Sequence, residues 1–189
     1  VSEDEAVFTE PLAAALQILQ QIQIHPEDRV VLIGDGKLGL LCAQVVALSG
    51  CDLTVIGKHE NKLEILKRRG IKTALMKDAP KLKADVAIEV TGSPSGFEMA
   101  RSFLRGGGRL ILKSTYAGKL TLDISSIVVD EITIIGSRCG PFKAALDLLS
   151  RKLIDVGSFI HARYKLDDAV TAMEKAQEAG VLKVLLDVN

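Results

Sequence analysis

Residues 29–50 read RVVLIGDGKLGLLCAQVVALSG, and this stretch decides how the rest of the chain is read. Residues 30–33 form a short continuous apolar run rich in β-branched side chains, as in a strand buried on both faces of a parallel sheet. Gly34, Gly36 and Gly39 follow at the spacing G-x-G-x-x-G. Beyond them Leu40, Leu41, Ala43, Val45, Val46 and Leu48 recur at helical spacing, and Gly50 supplies the stop expected past a helix end. In such a unit the first glycine makes a tight turn, the second lets backbone approach a pyrophosphate, and the third lets helix pack on strand. The helix start, at Lys37 and Leu38, offers free N–H groups and a partial positive charge to an anion. Asp35 sets a carboxylate beside the place a phosphate would take, with Lys37 to offset it. An ordinary tight strand-to-helix turn with no ligand is the competing reading.

Working outward, 189 residues with 48% hydrophobic and 25% charged content describe a soluble globular chain of one large domain or slightly more. The 24 basic and 24 acidic residues balance, which argues against nucleic acid or anionic membrane as a partner. No apolar run nears the ~18 residues of a membrane span and no secretory segment opens the chain, so a cytoplasmic location is expected. Cys42, Cys51 and Cys139 fit neither a disulfide framework nor a structural zinc pattern and read as reduced packing residues. Val1 in place of methionine suggests processing or excision from a longer protein.

Residues 2–24 read as one lead-in helix with an acidic start and Pro11 in its first turn. After the glycine unit come a strand at 53–56, a helix at 62–69, strands at 71–76 and 85–90, and a helix to residue 104. Gly106, Gly107 and Gly108 are expected to break the chain before a strand at 109–113. This order predicts a doubly wound parallel α/β sheet with right-handed crossovers. From Tyr116 the pattern changes: 120–124 alternates, 131–135 is β-branched, and 141–149 reads as a helix. A strand at 159–164, a helix at 167–179 behind an Asp cap and a strand at 181–188 then form a short C-terminal appendage.

An acid about 20 positions after the glycines, at the end of the second strand, usually binds the adenosine ribose hydroxyls. Here that place reads Gly57, Lys58 and His59. Missing carboxylate and added cations suit a 2′-phosphate, so NADP is favoured over NAD, with exposed loop residues as the plain alternative. No H-E-x-x-H, histidine cluster or G-x-S-x-G elbow supplies catalytic machinery.

Taken together, FTEPLAAAL from Phe8, VLIGDGKLG from Val31, EVTGSPSG from Glu89, GGGRLILKSTYAG from Gly106 and ITIIGSRCGPFKAALDLL from Ile132 carry a resemblance covering nearly the whole chain. With KLDDAVTAMEKA and KVLLDV near the end, the chain resembles the cofactor-binding half of the zinc-containing alcohol dehydrogenase-like medium-chain dehydrogenases/reductases. The resemblance implies a Rossmann fold at 1–153, and a segment at 154–189 that joins the catalytic domain. It implies that the glycine turn holds the pyrophosphate, that Thr91, Gly92, Lys113 and Ser114 approach the nicotinamide, and that Ser137 and Arg138 lie near the cofactor. Glu10 matches a glutamate at or beside the catalytic zinc in polyol-dehydrogenase-like members, or is an acid stabilised at a helix N-terminus. The family's zinc ligands and proton relay lie in an N-terminal catalytic domain that does not precede Val1. The implied reaction is reversible hydride transfer between a small alcohol or polyol and NAD(P), with zinc polarising the alcohol oxygen. A homodimer through the 132–135 edge is also implied. The rival classes are a stand-alone nucleotide-sensing module and an S-adenosylmethionine methyltransferase.

Overall fold

The computed structural model describes residues 1–115 and 119–188. The end of the GGGRLILKSTYAG run, at 116–118, and Asn189 lie outside the described residues. The lead-in is two helices, α1 (Glu3–Ala6) and α2 (Thr9–Gln21), where the sequence predicts one. Ser2 and Glu5 close α1 as a reciprocal capping box, and the Thr9 hydroxyl donates to the Ala6 carbonyl at 2.7 Å. The break turns Phe8 inward, where its ring meets Phe159 edge-on with centroids 5.9 Å apart.

There follow β1 (Arg29–Ile33), α3 (Lys37–Ala47), β2 (Asp52–Gly57), α4 (Glu60–Lys67), β3 (Lys72–Leu75), β4 (Ala84–Glu89), α5 (Pro94–Phe103) and β5 (Leu104–Leu112). After these come α6 (Ile124–Val129), β6 (Thr133–Gly136) and α7 (Phe142–Ser150). Six strands make one parallel sheet in the order β3-β2-β1-β4-β5-β6. The doubly wound prediction holds. The chain runs outward from β1 to β3, returns to the centre, and runs outward again through β4, so its helices divide between the two faces. Period-2 alternation sorts the strands accordingly. Val30, Leu32, Val86 and Ile88 pack with α2, α3, α4 and α7, while Val31, Ile33 and Ala87 pack with Phe97, Ala100 and Phe103 of α5.

Two local readings are corrected. The three glycines do not break the chain before β5, because the strand starts at Leu104 and absorbs them as a bulge. Ala84 pairs with Leu104 and Val86 already with Arg109. Gly107 adopts φ +70°, and a Cβ on Gly108 would lie 2.9 Å from the Arg105 carbonyl, so the kink needs glycine. Residues 120–123 pair with no strand among the described residues. Leu120 and Leu122 pack on the α5 side, and Asp123 then caps α6 by accepting from the Ser125 N–H at 3.0 Å.

The C-terminal segment forms β7 (Ile160–Lys165), α8 (Ala169–Gln177) and β8 (Lys183–Asp187), with the two strands parallel in a separate small sheet. The expected Asp cap of α8 does not form: a short 3₁₀ turn over Leu166–Asp168 precedes the helix, and Asp168 makes no capping hydrogen bond with its side chain. Ile154, Val156, Phe159 and Leu182 lie in the same core as α2 and α3. Arg163 pairs with both Asp4 of α1 and Asp187 of β8.

Candidate functional site

β1 and β4 stay paired up to Ile33 and Glu89 at the centre of the sheet, and the winding of the chain reverses between them, which opens a crevice beyond their carboxyl ends. The glycine turn crosses that opening. Gly34 holds φ +126° with its N–H donating to the Ile56 carbonyl at 2.9 Å, and a Cβ there would lie 2.6 Å from the Val90 carbonyl. At Gly39 a Cβ would sit 2.2 Å from the Gly34 carbonyl, so α3 packs directly on the turn. Gly36 differs from both. It precedes the first turn of α3, and a Cβ there would meet no protein atom within 4 Å. Two glycines are required by packing and the third faces open space.

A cavity lies on each side of Gly36, and both include Val90 and Thr91 in their walls. The one toward β2 has a volume of about 280 Å³ and is bordered by Gly34, Asp35, Gly57, Lys58, His59 and Gly96. The one toward α2 has about 670 Å³ and is bordered by Glu10, Lys37, Leu38, Gly92, Ser114 and Lys183, with Lys113 and Gly39 also in its wall.

At the β2 end the structure departs from the sequence expectation. The sequence predicts no carboxylate there; the structure supplies one from the glycine turn. Asp35 is buried, and its Oδ2 accepts the N–H of Lys58 at 2.8 Å and of His59 at 2.6 Å, with His59 Nδ1 at 3.0 Å. A Cβ on Gly57 would lie 2.6 Å from the Asp35 Cβ and 2.7 Å from Oδ2. The missing side chain at 57 is what makes room for Asp35.

Between the cavities, Glu89 at the end of β4 is fully buried. Its Oε1 accepts from the Thr91 N–H and Thr91 hydroxyl, both at 2.6 Å, and from the Ser114 hydroxyl at 3.1 Å. Ser114 Oγ in turn accepts the Gly92 N–H at 2.8 Å. One carboxylate therefore ties the loop after β4 to the end of β5, while its Oε2 is buried without a partner among the described residues. Sequence reasoning missed Glu89 as a site residue. An acid ending the apolar strand run ADVAIEV was the available signal, since a buried carboxylate demands donors.

Lys113 is also reassigned in detail. It borders the larger cavity, yet its ammonium is consumed by the protein, donating to the Ala14 carbonyl at 2.6 Å, the Arg138 carbonyl at 3.1 Å and the Ser137 hydroxyl at 3.2 Å. Burial lowers its pKa. Arg138 enters through its backbone carbonyl and borders neither cavity. Lys183 of β8, unforeseen in the sequence, stands over the Phe8 ring at 5.6 Å in the wall of the larger cavity. Burial and the nearby charge of Lys37 push its pKa down, opposed by Glu10. Cys42 lies beneath the site with its thiol pushed up to about 12 by burial, which makes it inert packing. Among the described residues no three His, Cys, Asp or Glu side chains come together to hold a metal ion. Glu10 brings a single carboxylate to the wall of the larger cavity.

With this geometry in view, the signature of the zinc-binding dehydrogenase family matches residues 38–151, and the chain belongs to that family. It is 28% identical over 210 residues to D-arabinitol dehydrogenase 1 of Uromyces fabae, matching all of this chain and 60% of that protein. A structure described as a zinc-binding dehydrogenase of Sinorhizobium meliloti 1021, solved with NADP, superposes with a TM-score of 0.88 at 23% identity. The match covers 97% of this chain and 59% of that one. The short chain alcohol dehydrogenase rspB of E. coli CFT073, solved with NADH, gives 0.89 at 22% identity over 100% of this chain and 60% of that one. These likenesses show the shared fold. The chain spans 54% to 60% of the length of the curated relatives it matches.

Proposed function

We propose that this chain is the NAD(P)-binding part of a dehydrogenase acting on a small alcohol or polyol. The observation that carries this reading is Gly36, open to solvent at the start of α3 between two cavities that share a wall. A pyrophosphate laid across Gly34, Gly36 and Gly39 would meet the first N–H groups of α3 at Lys37 and Leu38. Adenosine would then extend toward Gly57, Lys58 and His59, and nicotinamide toward Thr91, Gly92 and Ser114, with Lys113 and Arg138 bracing that wall. When bound, the nicotinamide supplies the hydride chemistry. The chain's own part is to bind, orient and shield the cofactor.

The rest of the reading concerns the whole protein. A catalytic domain outside this chain supplies the substrate pocket, residues 1–153 form the cofactor domain, and residues 154–189 join the two. Any zinc takes its ligands mostly from that other domain, with Glu10 as a candidate from this chain. Two copies pair through the edge at 132–135, which includes part of the exposed edge strand β6. The cytoplasm suits the three free cysteines, and no helix among the described residues is long and apolar enough to cross a membrane. Lys58 and His59 favour NADP, and Asp35 opposes it.

The test uses Gly36→Val. Because a Cβ there meets no protein atom within 4 Å and φ is −73°, the variant should fold and melt like the parent. It should bind neither NADH nor NADPH in a fluorescence titration to which the parent responds. Unchanged binding in the variant would remove the pyrophosphate from this turn.

A further inference from the structure

We propose that Asp35 is the specificity residue for the cofactor's adenosine ribose, doing from the glycine turn what an acid at the end of β2 does elsewhere, and that it selects NAD over NADP. The inference rests on the dinucleotide reading of the site. Asp35 and Gly57 are sterically coupled: a Cβ at 57 would overlap Asp35 Cβ, Cγ and Oδ2 at 2.6 to 2.8 Å. A carboxylate can stand at one position or the other, and here it stands at 35. It borders the smaller cavity, where the ribose would lie.

Its hydrogen bonds decide the selectivity. Successive backbone N–H groups at the turn after a strand form a concavity that binds anions, and a 2′-phosphate is such an anion. In this chain the N–H groups of Lys58 and His59 already point at Asp35 Oδ2. The imidazole of His59 is directed to the same oxygen. The anion place is therefore filled by the protein itself. A phosphate brought there would lose those donors and meet a buried carboxylate, a like-charge contact against which the exposed Lys58 is a weak offset. Ribose hydroxyls face the opposite situation. The hydrogen bonds of Asp35 among the described residues all fall on Oδ2, which leaves Oδ1 as an acceptor for a neutral diol.

The experiment titrates the purified chain with NADH and NADPH by fluorescence, and with ADP and adenosine 2′,5′-bisphosphate by calorimetry. These fragments probe the smaller cavity without the nicotinamide. The parent should hold NADH about tenfold tighter than NADPH, and ADP tighter than the bisphosphate. Asp35→Ser removes the charge and releases both N–H groups, so the ratio should invert in each pair. Asp35→Asn keeps the shape and the backbone hydrogen bonds should serine loosen the turn, and it should bring the ratio toward one. Equal or tighter binding of NADPH by the parent overturns the inference, as does an unchanged ratio in both folded variants; the dinucleotide reading survives either result. A folded parent that binds none of the four ligands overturns both.

Discussion

The two cavities beside Gly36 are finished to different degrees. Toward β2, Asp35, His59 and the N–H groups after the strand satisfy one another, and Gly57 is shaped to admit the carboxylate. Toward α2, Glu10, Lys37 and Lys183 border a larger space, and none of them makes an ion pair among the described residues. A carboxylate held by two backbone N–H groups and an imidazole makes a rigid recognition surface. Charges left facing a cavity are free to receive a ligand or a second protein surface. The contrast assigns discrimination to the β2 side and reception to the α2 side.

Both sides hang on the glycine turn, so the strongest way to break the contrast is to break the turn. Gly39→Val drives side-chain atoms into the Gly34 carbonyl, a backbone atom that cannot move aside. A loss of about 3 kcal/mol or more in denaturant titration is expected, together with loss of all nucleotide binding. Next comes Glu89→Ala. Removing the shared acceptor strands the Thr91 N–H and two hydroxyls, so stability should fall by about 2 to 3 kcal/mol and NADH binding should weaken about tenfold. A variant as stable as the parent would mean that the carboxylate costs as much in burial as its bonds return.

A sharper cut separates the sides. Lys183→Ala should weaken NADH about fivefold, the worth of one partly exposed charged contact of about 1 kcal/mol, while ADP binding stays unchanged. Equal weakening of ADP would put Lys183 at the pyrophosphate. The smallest effect concerns the frame of the α2 side. Lys152 bonds both carboxylate oxygens of Glu5, at 2.5 and 2.7 Å, and holds its pKa down to about 2. A depressed carboxylate adds stability that is fully present above the ordinary value of 4.5 and is lost as pH falls through 2. The melting difference between Glu5→Gln and the parent should therefore be small at neutral pH and fade across that interval. A difference constant with pH would assign the effect to packing.

The glycine turn and the alternation of strands with helices were legible because each depends on neighbours within a few residues. Thr91, Ser114, Gly36 and Gly39 border one cavity although they lie far apart in the chain. Asp35 was visible as an awkward charge, but its role was not, since it depends on β2 standing beside β1 in the register that pairs Ile33 with Ile56. Lys183 had no local signal at all; its place is set by the docking of the small β7–β8 sheet. The alternation at 120–124 misled for a related reason. Period 2 records which side chains are covered, and Leu120 and Leu122 are half-buried against the α5-side cluster without a strand partner among the described residues.

The contact between Phe8 and Phe159 also fixes an order of events during synthesis. The two rings bury each other across about 150 residues of chain, so Phe8 lacks that cover until the C-terminal part has left the ribosome. At 5 to 20 residues per second that interval is roughly 8 to 30 seconds. The glycine turn can close locally within that time. The wall that carries Lys183 is built last, so a nascent chain acquires its discriminating side before its receiving one.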